Sequence, residues 1–344
     1  MPSPRSSLWI GALFAVGVAG AGAVGVITAA NESTENVQRI EDLEDVLVAR
    51  DGPAENYLLI GSDTREGSDP NAPDFGGIGD EGEVQGRRSD TIMILRQEED
   101  GNGAALVSIP RDLWVDIAGD AGESRINSAY NDGADVLAET ITNELGIPIN
   151  HVVDIDFFGF KNLVDAIGGT EMCFLFATRD LESGLSQEPG CNTLDGVQAL
   201  AYSRSRNYEE FRDGDWQKDP TADLGRIDRQ QRFIDSTVNT TLRKLQRNPF
   251  LASELIEAVS DSVRLDPGLD PLAAAGTLRK AFSSGFTTYQ LPVRGDTING
   301  ASILLLEPEA EPILDYFRGT GPLPPPQDSG DRSDNGAGAE SGEG

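Results

Sequence analysis

The sequence predicts an α/β protein whose helices cover a central sheet, set behind one N-terminal membrane-crossing helix. Three short apolar runs, 56–60 (NYLLI), 91–96 (TIMILR) and 104–109 (AALVSI), show no polar alternation and so suit strands buried on both faces. Segments with apolar residues at helical spacing follow, among them 159–167 (GFKNLVDAI), which stops at Gly168-Gly169. Leu8–Ala30 is uncharged and apolar, long enough at about 1.5 Å per residue to cross a hydrocarbon core of about 30 Å.

Taken in order, residues 1–7 carry Arg5 and no acid, whereas Glu32, Glu35, Glu41, Asp42, Glu44 and Asp45 follow the apolar run. That asymmetry puts 1–7 in the cytoplasm, 8–30 in the membrane and the remainder outside. A signal peptide cleaved after Ala29-Ala30 is the rival, but the run exceeds the usual apolar region of about 7–15 residues, which favours the anchor. Residues 31–51 are expected to form a polar, helical juxtamembrane segment. Residues 52–318 are the extracytoplasmic domain. After its first three strands, a loop over 124–130 enters a helix at 135–145, and strands follow at 150–158 and 170–176. A short helix over 196–202 comes next, then an amphipathic helix over 227–247, helices over 251–263 and 272–282, and a closing strand at 286–291. From Gly319 to Gly344, Pro, Gly, Asp, Ser and Glu dominate, and a disordered acidic tail is expected.

Acidic residues outnumber basic ones 58 to 27, for a net charge of −31, which argues against a nucleic-acid partner. Only Lys161, Lys218, Lys244 and Lys280 are lysines; the other basic residues are arginines. This composition fits a salt-rich setting, or a GC-rich genome that favours arginine codons. Cys173 and Cys191 lack metal-binding spacing; outside the cell one disulfide closing a short loop is expected, two unrelated thiols being the alternative. The single histidine, His151, borders an apolar strand and is assigned a structural role, which removes Ser-His-Asp and His-based zinc chemistry. No Walker A sequence and no GxGxxG after a strand occurs.

What remains is arginine and carboxylate chemistry. The first three strands end in charged clusters, Asp63/Arg65, Arg88/Asp90 and Arg111/Asp112, and ligands of α/β sheets bind in crevices beyond strand ends. Arg204 and Arg206, two apart on a segment taken as extended, would point to one face and hold one anion. Arg226 and Gln230, four apart, share a face if GRIDRQQRFI opens a helix. Salt bridges to the many nearby acids are the alternative. Guanidinium forks match phosphate oxygens, and with Asp63 and Asp90 holding Mg²⁺ these residues are the parts needed to bind a pyrophosphate and transfer a phosphoryl group.

NYLLIGSDTR, GRRSDTIMIL, SIPRDLWVDI, RINSAY, IDFFGFKNLVDAIGG, LDGVQALAYSRSR and GRIDRQQRFI occur in this order between about Asn56 and Ile234. In these seven segments the chain resembles the LytR-CpsA-Psr family of membrane-anchored cell-envelope glycopolymer transferases. The resemblance implies an α/β/α sandwich with a central mixed sheet and an apolar tunnel for a polyprenyl chain. It implies Mg²⁺ on Asp63 and Asp90, phosphate binding by Arg88, Arg111, Arg204, Arg206 and Arg226 with Gln230, and Arg125 and Asn127 at the pocket edge; Arg65, from the first strand-end cluster, joins the anion-binding set. Asp112 either positions Arg111 or acts as base. The implied reaction moves a glycopolymer from a polyprenyl-pyrophosphate carrier to peptidoglycan or another surface glycan by phosphodiester formation. A polyprenyl-phosphate-binding assembly protein without turnover, and a pyrophosphatase, are the alternatives. Two acidic stretches, 66–86 and 207–223, depart from the family pattern beside the implied site.

Overall fold

The apolar runs are strands of one seven-stranded sheet, and each gives alternate residues to two cores. The computed structural model describes residues 37–50, 52–62, 89–98, 103–119, 121–205, 207–219, 262–270 and 285–327, with the helical positions 233, 236, 237, 240, 241 and 244. In chain order the strands begin with β1 (Gln38–Arg39), β2 (Glu55–Ser62), β3 (Ser89–Gln97), β4 (Ala104–Ile109), β5 (Trp114–Ile117) and β6 (Gly122–Arg125). They continue with β7 (His151–Ile155), β8 (Thr170–Phe174), β9 (Thr178–Asp180), β10 (Leu185–Gln187), β11 (Gly190–Leu194) and β12 (Glu209–Arg212). The last are β13 (Asp215–Lys218), β14 (Val263–Leu265), β15 (Phe286–Gln290), β16 (Val293–Ile298) and β17 (Ala301–Leu306). Helices are α1 (Ala129–Asp132), α2 (Ala134–Leu145), α3 (Phe157–Ala166), α4 (Gly196–Arg204) and α5 (Glu311–Arg318).

The main sheet has the order β1-β14-β7-β2-β3-β4-β15. Pairs β1/β14, β7/β2 and β4/β15 are parallel; β14/β7, β2/β3 and β3/β4 are antiparallel. It is therefore a mixed sheet, as expected. Tyr57, Leu59, Met93 and Leu95 face the core shared with α3 and α4, whereas Leu58, Ile60, Ile92 and Ile94 face the core shared with α2 and α5. Burial on both faces explains why these runs carry no polar alternation. Each fully buried Leu or Ile contributes about 1.5–3 kcal/mol.

Helices α3 and α4 lie against the first core and are placed by their caps. The Asp156 side chain accepts from the Gly159 amide at 2.8 Å, so α3 begins at Phe157, two residues earlier than the sequence suggested. Asp195 likewise accepts from the Gln198 amide at 2.8 Å and starts α4. The two helices touch at Gly196, where an added Cβ would lie 2.4 Å from the Lys161 carbonyl oxygen. Only glycine permits that approach.

Several expectations are corrected. Helix α4 runs through Arg204, with Ser205 as its extended C-cap, so Arg204 and Arg206 do not share one extended segment and the same-face argument lapses. The stretch 124–130 is the end of β6, a 3-10 turn at Ile126–Ser128 and the start of α1, which Gly133 separates from α2. Val263 opens strand β14 rather than ending a helix. Within the expected juxtamembrane helix, Gln38–Arg39 is strand β1 of the main sheet. Hairpins β5/β6 and β16/β17, the small sheet β10-β9-β12-β13 and helix α5 have no counterpart in the sequence reading. Cys173 and Cys191 form a disulfide as expected, Cys173 on β8 within the strand expected at 170–176 and Cys191 directly opposite on β11, a strand not expected. Residues 319–327, expected to be disordered, run along edge strand β15: the Tyr289 hydroxyl donates to the Pro324 carbonyl at 2.6 Å, and the Gln327 side chain bonds the Gln290 main chain at 2.7 and 2.9 Å. Those bonds satisfy the Gln290 main chain on the edge strand of the sheet. The anchor at 8–30 and the tail beyond 327 lie outside the described residues; among those described, no helix is long and apolar enough to cross a membrane.

Candidate active site

Strand register decides where the charged clusters meet. Ser62 at the end of β2 pairs with Ser89 at the start of β3, and Ile92 pairs with Ile109 at the end of β4. Gly61 pairs with Ile155 at the end of β7, and Val263 at the start of β14 pairs with the same Ile155. One end of the sheet thus collects the exits of β2, β4 and β7 and the entries of β3 and β14. In the chain, Asp63 follows Ser62, Asp90 follows Ser89, Arg111 and Asp112 follow β4, and Asp156 and Phe157 follow β7. His151 begins β7 at the opposite end, stacked on Tyr57 at 5.0 Å and 3.1 Å from the Asp266 carboxylate. Its structural assignment agrees with that placement.

The Pro-Arg-Asp turn and the Arg-Ile-Asn turn are clipped together. Asn127 N donates to Arg111 O at 3.1 Å and Ile126 N to Leu113 O at 2.8 Å, while Leu304 N, on β17, donates to Asp112 O at 2.9 Å. The Asp112 carboxylate is 95% buried, with Oδ2 3.7 Å from Arg111 Nε and Oδ1 3.7 Å from Arg125 Nε. It sits between two guanidinium groups, within ion-pair range of both. Arg111, Arg125 and Asn127, predicted from separate motifs, are therefore neighbours.

Arg204 approaches the same sheet end from the other layer. As the last residue of α4, it lays its guanidinium over the Phe157 ring at 4.9 Å, and Phe157 is the first residue of α3 beyond β7. Asp63, Arg65, Arg88, Arg206, Arg226 and Gln230 lie outside the described residues; Asp90 is described as part of β3 but its side chain is not. Among the described residues no group of three or more His, Cys, Asp or Glu side chains is arranged to hold a metal ion.

The sequence reading missed a buried network under this site. Asp154 on β7 is opposite Arg264 on β14; its Oδ2 accepts from the Tyr130 hydroxyl at 2.5 Å and from Arg264 at 2.5 Å. Arg264 also donates to the Tyr130 oxygen at 2.7 Å. Burial, and then the Asp154 charge, push the Tyr130 phenol up, so it stays a donor. Tyr130 belongs to the RINSAY segment, so the network pins the turn bearing Arg125 and Asn127 to the central sheet. Burial also raises the Asp156 carboxyl to about 6, against the hydrogen bonds from the Gly159 and Phe158 amides. An acid three residues before α3, between two apolar runs, was the available signal for Asp154; its partner Arg264, 110 residues away, had none.

The chain is 36% identical over 218 residues to the polyisoprenyl-teichoic acid–peptidoglycan teichoic acid transferase TagU of Enterococcus faecalis, covering 63% of this chain and 63% of that protein. It therefore spans less than two thirds of that relative's length. Its structure resembles a LytR-Csp2A-Psr enzyme from Actinomyces oris, with a TM-score of 0.58, 25% identity and coverage of 76% of this chain and 89% of that one. It shares its fold with TagT bound to LI-WTA, at a TM-score of 0.55 and 19% identity, over 80% of this chain and 94% of that one. The LytR_cpsA_psr family matches residues 22–315, and the chain belongs to that family.

Proposed function

We propose that this protein is a transferase that moves a glycopolymer from a polyprenyl-pyrophosphate carrier to a hydroxyl of peptidoglycan or a comparable surface glycan. The carrying observation is the strand register, which brings the exits of β2, β4 and β7 and the entry of β3 to one sheet end beside Arg111, Arg125 and Arg204. The name of the TagU relative and the ligand named for TagT support the class of donor and acceptor.

In this reading Arg111, Arg125 and Arg204, with Arg65, Arg88, Arg206 and Arg226, bind the pyrophosphate oxygens. Asn127 and Gln230 add neutral hydrogen bonds at the rim. Asp112 serves as a positioning residue rather than a base, because its carboxylate is buried between two guanidinium groups. The acceptor oxygen forms a bond to the sugar-bearing phosphorus as the bond to the bridging oxygen breaks. Polyprenyl phosphate departs, and the acceptor proton passes to a carboxylate or solvent. The arginines neutralise charge that builds on the bridging oxygen.

Asp63 and Asp90 fit Mg²⁺. They are hard oxygen donors, and the residues just before them in the chain, Ser62 and Ser89, are paired across β2 and β3. When bound, the ion supplies charge stabilisation to the phosphate oxygens. Residues 8–30 anchor the domain at the outer membrane face, where the lipid carrier resides. Full-length protein, incubated with a synthetic lipid-pyrophosphate-linked glycan and a peptidoglycan acceptor, tests the reading. Transfer by the wild type and none by Arg204→Ala, at equal melting temperature, is expected. Equal transfer by both overturns the site, and release of free glycan phosphate without transfer makes the protein a hydrolase.

A further inference from the structure

The C-cap that follows Arg204 at the end of helix α4 is held by a buried carboxylate on strand β9. Asp180 ends β9, 24 residues before Arg204 in the chain, and is 99% buried. Its Oδ2 accepts from the Ser205 hydroxyl at 2.7 Å and from the Asn207 amide at 2.8 Å. Its Oδ1 accepts from the Glu182 and Ser183 amides at 2.9 and 3.2 Å, which fix the carboxylate itself. Ser205 is equally buried, so these bonds are shielded from water. Ser205 directly follows Arg204, and Ser205 and Asn207 flank Arg206 in the chain. Holding the side chain of the C-cap residue fixes the end of the helix that carries Arg204.

We propose that Asp180 is a positioning residue for Arg204, its carboxylate fixing the Ser205 C-cap of α4 so that the Arg204 guanidinium meets the pyrophosphate. This inference rests on the proposed function of the site. Ionisation suits the role: although burial opposes the charge, hydrogen bonds from Ser205, Asn207, Ser183 and Glu182 hold the carboxyl below its ordinary value. The arrangement also explains why serine suits the position between the arginines. Alanine there would drop one of the bonds to Oδ2, while threonine would keep it.

The test uses the full chain in detergent, with Mg²⁺ and farnesyl pyrophosphate as the probe, followed by calorimetry and by melting. The variants are Arg204→Ala, Asp180→Asn, Ser205→Ala and Ser205→Thr. The expected result is wild-type binding, loss in Arg204→Ala, weakening by at least about tenfold in Asp180→Asn and about three- to tenfold in Ser205→Ala, with Ser205→Thr close to wild type. Rescue by the hydroxyl marks positioning, since a general loss of stability would also lower the melting temperature of Ser205→Ala. If Arg204→Ala abolishes binding but folded Asp180→Asn and Ser205→Ala bind as wild type does, the proposal is overturned and the site stands. If the wild type does not bind, or Arg204→Ala binds equally well, the site assignment fails and takes the proposal with it. Should Asp180→Asn fail to fold, the Ser205 pair decides alone.

Discussion

Removing the cation from the Tyr130–Asp154–Arg264 network should be more damaging than removing cation and anion together. The Asp154 side chain is fully buried, whereas that of Arg264 is 28% exposed. Arg264→Met therefore strands a carboxylate that cannot reach water, at a cost of about 3–5 kcal/mol. For a chain of this size each kcal/mol shifts the midpoint by roughly 2–4 °C, so a fall of roughly 10 °C is expected. The double variant Arg264→Met/Asp154→Leu removes both charges and leaves the Tyr130 hydroxyl with Ser62 as its remaining partner, a cost of at most about 1–3 kcal/mol. It should melt well above the single variant. The assay is thermal unfolding of the full chain in detergent, followed by tryptophan fluorescence and circular dichroism. A single variant within about 2 °C of wild type, or a double variant that melts no higher than the single, would refute the network's energetic role.

Other predictions follow from the same structure. The folded value of Asp156, about 6, exceeds the ordinary 3.8, so the native state binds a proton more readily and stability falls as pH rises from about 4 to about 6. Asp156→Asn keeps a cap acceptor and should remove that slope; its advantage over wild type in urea unfolding should grow across the window by on the order of 2 kcal/mol. Breaking the Cys173–Cys191 bond, which spans 18 residues, should cost about 3 kcal/mol, seen as a lower denaturation midpoint in dithiothreitol that Cys173→Ser/Cys191→Ser reproduces. Gly196→Ala forces α3 and α4 apart at the Lys161 carbonyl and should lower stability by about 1–3 kcal/mol or more; an unchanged melting temperature would contradict the close approach.

The parts of this fold that announce themselves locally were legible in the sequence. Strands β2, β3 and β4 are apolar on both faces, and that lack of alternation marked a covered sheet. Helix α3 ends at Gly168-Gly169 as its composition suggests. What stayed hidden depends on distant partners. The hairpin β16/β17 and helix α5 bury one stripe each, and short amphipathic elements carry a weaker signal than a strand buried all round. Residues 319–327 have a disordered composition, yet Gln327 finds the open edge of β15. The same division holds at the site. Arg111 stood out at a strand end and Arg204 in a cluster of arginines that calls for an anion, whereas Arg125 and Asn127 were marked by the family segment RINSAY. Asp180 and Arg264 did not, because their meaning lies in Ser205 and Asp154, reached only once the chain has folded.

The most direct test of the central claim is mass spectrometry of lipids that co-purify with the detergent-extracted full chain, wild type beside Arg204→Ala/Arg206→Ala. A polyprenyl phosphate or pyrophosphate carried by the wild type and lost from the double variant is the predicted result. Wild-type protein without any polyprenyl species, and without Mg²⁺-dependent uptake of a synthetic one, would contradict it.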